Sequence, residues 1–105
     1  MKIFHITLLF AAFAMSSCVV DQMEKLAPRP TPAMSVESGV SLTKLENGRT
    51  IFLANCGRCH EHQFPDTVSQ ADWHVVVPGM SWNAGISKND QQALLSYLLA
   101  AKAKK

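Results

Sequence analysis

The sequence predicts an all-α fold. Three observations carry that expectation. Leu94, Tyr97, Leu98 and Ala101 recur at i, i+3, i+4 and i+7, a second apolar set runs from Leu42 to Ala54, and start signals of the S/T-x-x-acid type stand at Ser69-Gln70-Ala71-Asp72 and Ser87-Lys88-Asn89-Asp90. The chain has 105 residues, which allows one domain at most, and its N-terminal part reads as something other than that domain.

Met1 to Ser17 carry one lysine, Lys2, followed by an almost unbroken apolar run from Ile3 to Met15. That run is too short for a comfortable transmembrane span and reads as a secretory signal over residues 1–17. It ends in Met15-Ser16-Ser17-Cys18, which resembles the lipobox of bacterial lipoproteins. The resemblance implies that Cys18 is acylated and becomes the new N-terminus, on the outer face of a membrane. The alternative is an ordinary signal cut nearby, with Cys18 left as a free or removed thiol. An odd count of three cysteines in an exported chain fits the lipid reading, because one thiol needs a separate fate.

From Val19 to about Gly39 no apolar period is sustained, and Pro28, Pro30 and Pro32 alternate with other residues. Residues 18–40 therefore read as a lipid anchor and an extended proline-rich tether, able to span roughly 60 Å at full stretch. Met34 reads as a linker residue. The folded domain is expected over residues 41–105. Its first helix is expected from near Ser41 to near Asn55, with Leu42, Leu45, Ile51, Phe52 and Ala54 apolar. Gly48 is the odd choice within it. A mid-helix glycine costs about 1 kcal/mol against alanine and often marks close approach by another element.

The next five residues are Cys56-Gly57-Arg58-Cys59-His60, the covalent attachment signal of a c-type haem. Two thiols three positions apart at a helix end share a face, so each can form a thioether with a haem vinyl group, and His60 supplies a proximal iron ligand. Two other readings of a Cys-x-x-Cys pair have to be weighed. A thioredoxin-type redox pair would sit in a β-α-β pattern, and a closed zinc site would want a second Cys or His pair. The sequence offers neither.

After a polar loop, Glu61 to Asp66, the Ser69 signal opens a short helix expected to reach about Val77. Trp73, Val76 and Val77 make one apolar face, read as a haem wall. Trp73 can donate its indole N–H to a haem propionate or simply pack. Pro78-Gly79 is expected to stop this helix, and Met80 follows at once. The Ser87 signal opens the last helix, with its stripe of Leu94, Tyr97, Leu98 and Ala101. Leu95 and Leu99 would widen that face toward the haem edge.

The combination of Gly48-x-x-x-Phe52, Cys56-x-x-Cys59-His60, Met80, and a final helix with Leu94, Tyr97 and Leu98 resembles the small bacterial class I cytochromes c, over about Ser41 to Ala101. The resemblance implies three or so helices wrapped around one covalently attached haem, with the N- and C-terminal helices crossing at the glycine and aromatic. It also implies Met80 as the distal iron ligand and Pro65 as the residue whose carbonyl receives the Nδ1–H of His60. The competing readings are a core methionine for Met80 and a plain turn proline for Pro65. Of the other histidines, His62 lies too near His60 to reach across the ring, His5 leaves with the signal, and His74 is expected to face water, which leaves bis-histidine ligation through His74 as a minor alternative to Met80.

A formal charge of +2 suggests no nucleic-acid partner, and Lys102, Lys104 and Lys105 read as a solvated tail. A folded part of about 65 residues is too small for a robust core of side chains alone, so haem should be part of that core and the haem-free chain largely unfolded. With His60 and Met80 both on iron, no coordination position is open, and the expected function is electron carriage rather than catalysis. Partners would be redox proteins of a respiratory or dehydrogenase chain. The competing class is a haem enzyme or gas-binding subunit with Met80 displaced, and a third reading is a subunit working only within a larger complex.

Overall fold

The computed structural model describes residues 19–102. Residues 1–18 and 103–105 lie outside the described residues, and with them the expected signal segment, Cys18, Lys104 and Lys105. Among the described residues every regular element is helical, as the sequence predicts: α1 over 19–26, α2 Pro32–Ser38, α3 Leu42–Asn55, a 3-10 turn Pro65–Thr67, α4 Gln70–Ala84 and α5 Lys88–Ala101. No helix among them is long and apolar enough to cross a membrane.

The starts of the helices follow from their caps. Ser41, Ser69 and Ser87 each accept a hydrogen bond from the backbone N–H three residues on, at Lys44, Asp72 and Asp90, and so satisfy one of the orphan donors of α3, α4 and α5. Ser69 also donates from its hydroxyl to Asp72 at 2.6 Å. Asp72 and Asp90 lie in first turns, where a carboxylate complements the helix dipole.

The expectation of an extended segment from Val19 to Gly39 is corrected. Only the link between α1 and α2 is irregular, and the third proline, Pro32, opens α2 behind the N-cap Thr31. Proline suits that first position, where its fixed φ is helical and its missing N–H is not needed. The segment also packs on the domain. Ala27 is fully buried, its carbonyl accepts from Arg49 Nε at 2.9 Å, and the Pro28 carbonyl accepts from the Tyr97 hydroxyl at 2.9 Å.

The most extensive packing is α3 against α5. Gly48 is where they come closest: a Cβ there would run into the Ala93 carbonyl oxygen and lie 2.6 Å from Tyr97 Cβ. Phe52, one turn on, packs against Tyr97 with ring centroids 6.1 Å apart, and Asn47 Nδ2 donates to Asp90 at 3.4 Å. Ile51, Phe52, Trp73, Val77, Ala93, Leu94, Tyr97 and Leu98 form the common core of α3, α4 and α5.

A second correction concerns α4, which does not stop at Pro78-Gly79 but runs on to Ala84 and ends at Gly85 in the left-handed region, φ 69°. Pro78 and Gly79 lie on the exposed side, while Trp73, Val77 and Ser81 continue the buried stripe at i, i+4 and i+8. Packing on that stripe overrides the local cost of the two residues. Ser81 is fully buried with no partner for its hydroxyl among the described residues.

Two glycines give opposite expectations. Gly48→Ala gains about 1 kcal/mol of helix propensity but forces a clash against backbone, and overpacking of this kind costs about 1–3 kcal/mol. Denaturant midpoints should fall. Gly79→Ala meets nothing within 4 Å and should raise the midpoint by up to about 1 kcal/mol, whereas a helix ending at Pro78 would gain nothing.

Burial pushes the Tyr97 phenol up to about 12. In the unfolded chain it ionises near pH 10, so the folded state holds the extra proton between the two values. Stability from this group is complete below pH 10 and falls as pH rises toward 12, by on the order of 2 kcal/mol. Melting temperature followed from pH 9 to 12 should drop more steeply in the parent than in Tyr97→Phe.

Candidate functional site

A cavity of about 430 Å³ opens between the C-terminal end of α3, the inner face of α4 and the near face of α5. That is within the range of ordinary cofactor sites. Phe52, Val68, Trp73, Val77, Leu94 and Leu98 make its apolar walls. Cys56, Cys59, His60 and Met80 line it as well, so the motif residues and the later methionine share one chamber.

Each arrives by a different local route. Cys56 is the C-cap of α3, with its N–H on the Phe52 carbonyl, and is half-buried; burial pushes its thiol up from the ordinary range. Cys59 and His60 follow in an irregular turn and are exposed on their outer side. Met80 comes on α4, one turn beyond Val76, and is 46 % exposed. The sequence reading had it on a loop. The helical register takes it to the cavity instead, since Val76 and Met80 are spaced i, i+4.

His60 Nδ1 lies 2.7 Å from the Glu61 carbonyl oxygen. A carbonyl can only accept, so Nδ1 donates, and in the neutral ring that leaves the Nε2 lone pair for a metal. The resemblance assigned this bond to the Pro65 carbonyl, and that is corrected: the Pro65 oxygen accepts from Trp73 Nε1 at 3.0 Å and from Lys102 Nζ at 3.1 Å. The indole N–H thus points to the loop rather than to a ligand. Lys102 is also not a free tail residue, because its ammonium donates to the carbonyls of both Pro65 and Val68 and pins the loop to the end of α5.

His62 has a role that the sequence reading missed. Its Nε2–H donates to the Phe52 carbonyl at 3.0 Å, and its ring meets Phe52 edge-on with centroids 4.9 Å apart. The ring fills the space where a side chain on residue 57 would be, which is why glycine stands at the first position between the two cysteines. No spacing rule would have flagged this contact, because it depends on how the loop folds back. His74 is exposed, as expected. Leu95 and Leu99 do not reach the cavity; Leu94 and Leu98, one residue earlier in each turn, line it instead, and Leu99 faces α2.

The residues present fit a covalently held haem: the thiols of Cys56 and Cys59, the His60 imidazole and the Met80 thioether line one chamber with apolar side chains among them. Among the described residues no three His, Cys, Asp or Glu side chains converge on one point. No protein-family model, curated protein or solved structure matches this chain.

Gly57→Ala should cost about 1–3 kcal/mol, since its methyl group enters the His62 ring, and the double variant Gly57→Ala/His62→Ala should recover part of that loss. Guanidinium unfolding of the four proteins in this cycle reads the coupling. Independent, additive losses would show that His62 does not seat against residue 57.

Proposed function

We propose that this chain is a monohaem c-type cytochrome that carries single electrons between redox proteins, with haem attached through Cys56 and Cys59 and iron held by His60 and Met80. The observation that carries the reading is the shared cavity: the attachment motif and Met80, separated in sequence by a loop and most of a helix, line the same apolar chamber. The all-helical architecture, with α3 and α5 packed closely at Gly48, is compatible with the class I cytochrome c fold. Haem bound there would supply reversible exchange between ferric and ferrous iron.

The chain's own residues do three things for that chemistry. The Glu61 carbonyl holds the His60 tautomer that leaves Nε2 free, and raises its basicity toward a metal. The walls from Phe52, Trp73, Val77, Leu94 and Leu98 keep water from the centre of the chamber. Met80 provides a neutral, soft sulfur, which favours the ferrous state. The lipobox-like sequence ending in Cys18 adds a lipid anchor and places the protein at the outer face of a bacterial membrane, within reach of respiratory or dehydrogenase partners.

One observation favours a second reading. Met80 sits on a continuous helix and is nearly half exposed. A methionine so placed is open to displacement, which would make the protein a haem-dependent ligand-binding or enzymatic subunit.

The ferric optical spectrum of the haem-loaded protein separates the two. A near-infrared sulfur-to-iron charge-transfer band should be present in the parent and lost in Met80→Ala, with haem staying on the chain after denaturation in both. A parent without that band, and with a haem that takes carbon monoxide readily, would overturn the carrier reading in favour of the second. Loss of haem on denaturation would overturn covalent attachment.

A further inference from the structure

Val19, the first described residue of α1, directly follows Cys18, so no spacer separates the proposed lipid anchor from the helix. The helix is in turn tied to the domain. Ala27 is fully buried, the carbonyls of Ala27 and Pro28 are held by Arg49 and Tyr97, and Arg29 folds back on Glu24 through its backbone N–H at 2.9 Å and its Nε at 3.2 Å. An anchor attached here fixes where the domain sits.

Val19, Met23 and Leu26 stand at i, i+4 and i+7 on α1, and with Gln22 they form one wall of a groove whose other wall is Glu61, His62 and Phe64. Apolar surface stays open along it, with Val19 65 % exposed, Met23 42 % and Phe64 45 %, and Val20, next to Val19 but outside the groove, is 59 % exposed. Asp21 pairs with Lys25 at 3.0 Å and Glu24 with Arg29 in the link that follows, so residues 19–29 sum to no formal charge, and Glu61 on the opposite wall is the groove's remaining carboxylate.

We infer that Val19, Val20, Met23 and Phe64 seat in the boundary between headgroups and acyl chains of the membrane that holds Cys18, so that the domain is docked in one orientation rather than swinging on a leash. The inference rests on the reading of Cys18 as lipid-bearing. An apolar helix face tied to the domain and adjoining the anchor adds interfacial binding and sets the orientation. Docking by this face lays the loop after His60 against the lipid and leaves α4 as the cavity wall open to a partner in solution.

The test places single thiols in the full, haem-loaded chain at Met23→Cys, Phe64→Cys and, away from the groove on α4, Val75→Cys. Each is reconstituted in vesicles of phosphatidylethanolamine and phosphatidylglycerol and treated with a charged, membrane-impermeant maleimide. The same variants on a Cys18→Ala background, exported behind an ordinary cleavable signal, give the rates in solution, and intact mass reads the lipid on Cys18. Labelling at positions 23 and 64 should be at least 10-fold slower in vesicles, with position 75 unchanged. Equal rates in vesicles and solution, on protein whose mass shows the lipid, would overturn the docking and leave the lipoprotein reading standing. A mass without lipid overturns both. Labelling of the parent without an added thiol would expose free Cys56 or Cys59 and count against the haem reading separately.

Discussion

The close approach of α3 and α5 at Gly48 is the constraint on which the rest of the molecule depends. With only hydrogen at that Cα, the Ala93 carbonyl and the Tyr97 Cβ can come up to it, and the two helix axes are set by that contact. One turn further on, Phe52 meets both Tyr97 and His62. The same register on α5 turns Leu94 and Leu98 toward the cavity, and α3 then ends at Cys56 on the cavity rim. Tyr97 reaches from the crossing to the Pro28 carbonyl, which joins the N-terminal segment to the same point. A single small residue thus bears on the position of Cys56, one wall of the chamber and the packing of the segment after α1.

The loop from Cys56 to Val68 has little regular structure, yet side chains reach its carbonyls and those beside it. His62 donates to Phe52, His60 to Glu61, Trp73 to Pro65, and Lys102 to Pro65 and Val68. Backbone oxygens that helices and sheets would satisfy internally are satisfied here by donors from three different elements. The loop is therefore held in place from α4 and α5 as well as by its own histidines. The segment that carries Cys59, His60 and His62 is thus tied to the helices around it.

Local rules were legible in the sequence and long-range ones were not. The serine caps at 41, 69 and 87, the stripe on α5 and the glycine crossing all rest on neighbours within one turn or on a residue type with one strong use, and each stands as read. The prolines at 28, 30 and 32 were read as an extended tether because proline disfavours helix interiors, but position 32 is a first helical residue, where that objection vanishes. The partners of Pro65, Lys102 and His62 are set by how distant segments fold together, and no pattern in the chain announces them. Leu95 and Leu99 were placed at the cavity in error because a wide apolar face does not reveal which flank meets which neighbour; Leu94 and Leu98 occupy that place.

The course of α4 through Pro78-Gly79 follows from which face bears the cost. Proline removes the N–H that would serve the His74 carbonyl, and both His74 and Pro78 are exposed, so water can take the lost place. On the other face Trp73, Val77 and Ser81 remain buried in unbroken register. The penalty falls where solvent can reduce it and the packing is kept where solvent cannot reach. Continuity of the helix then decides the site. Because Met80 is reached by helical turns from Val76, its direction is fixed by the same register that buries Val77, and the methionine lines the chamber that Cys56, Cys59 and His60 also line without a loop to carry it there. Three rotatable bonds let its sulfur adjust within the cavity, while the backbone that bears it stays part of the wall.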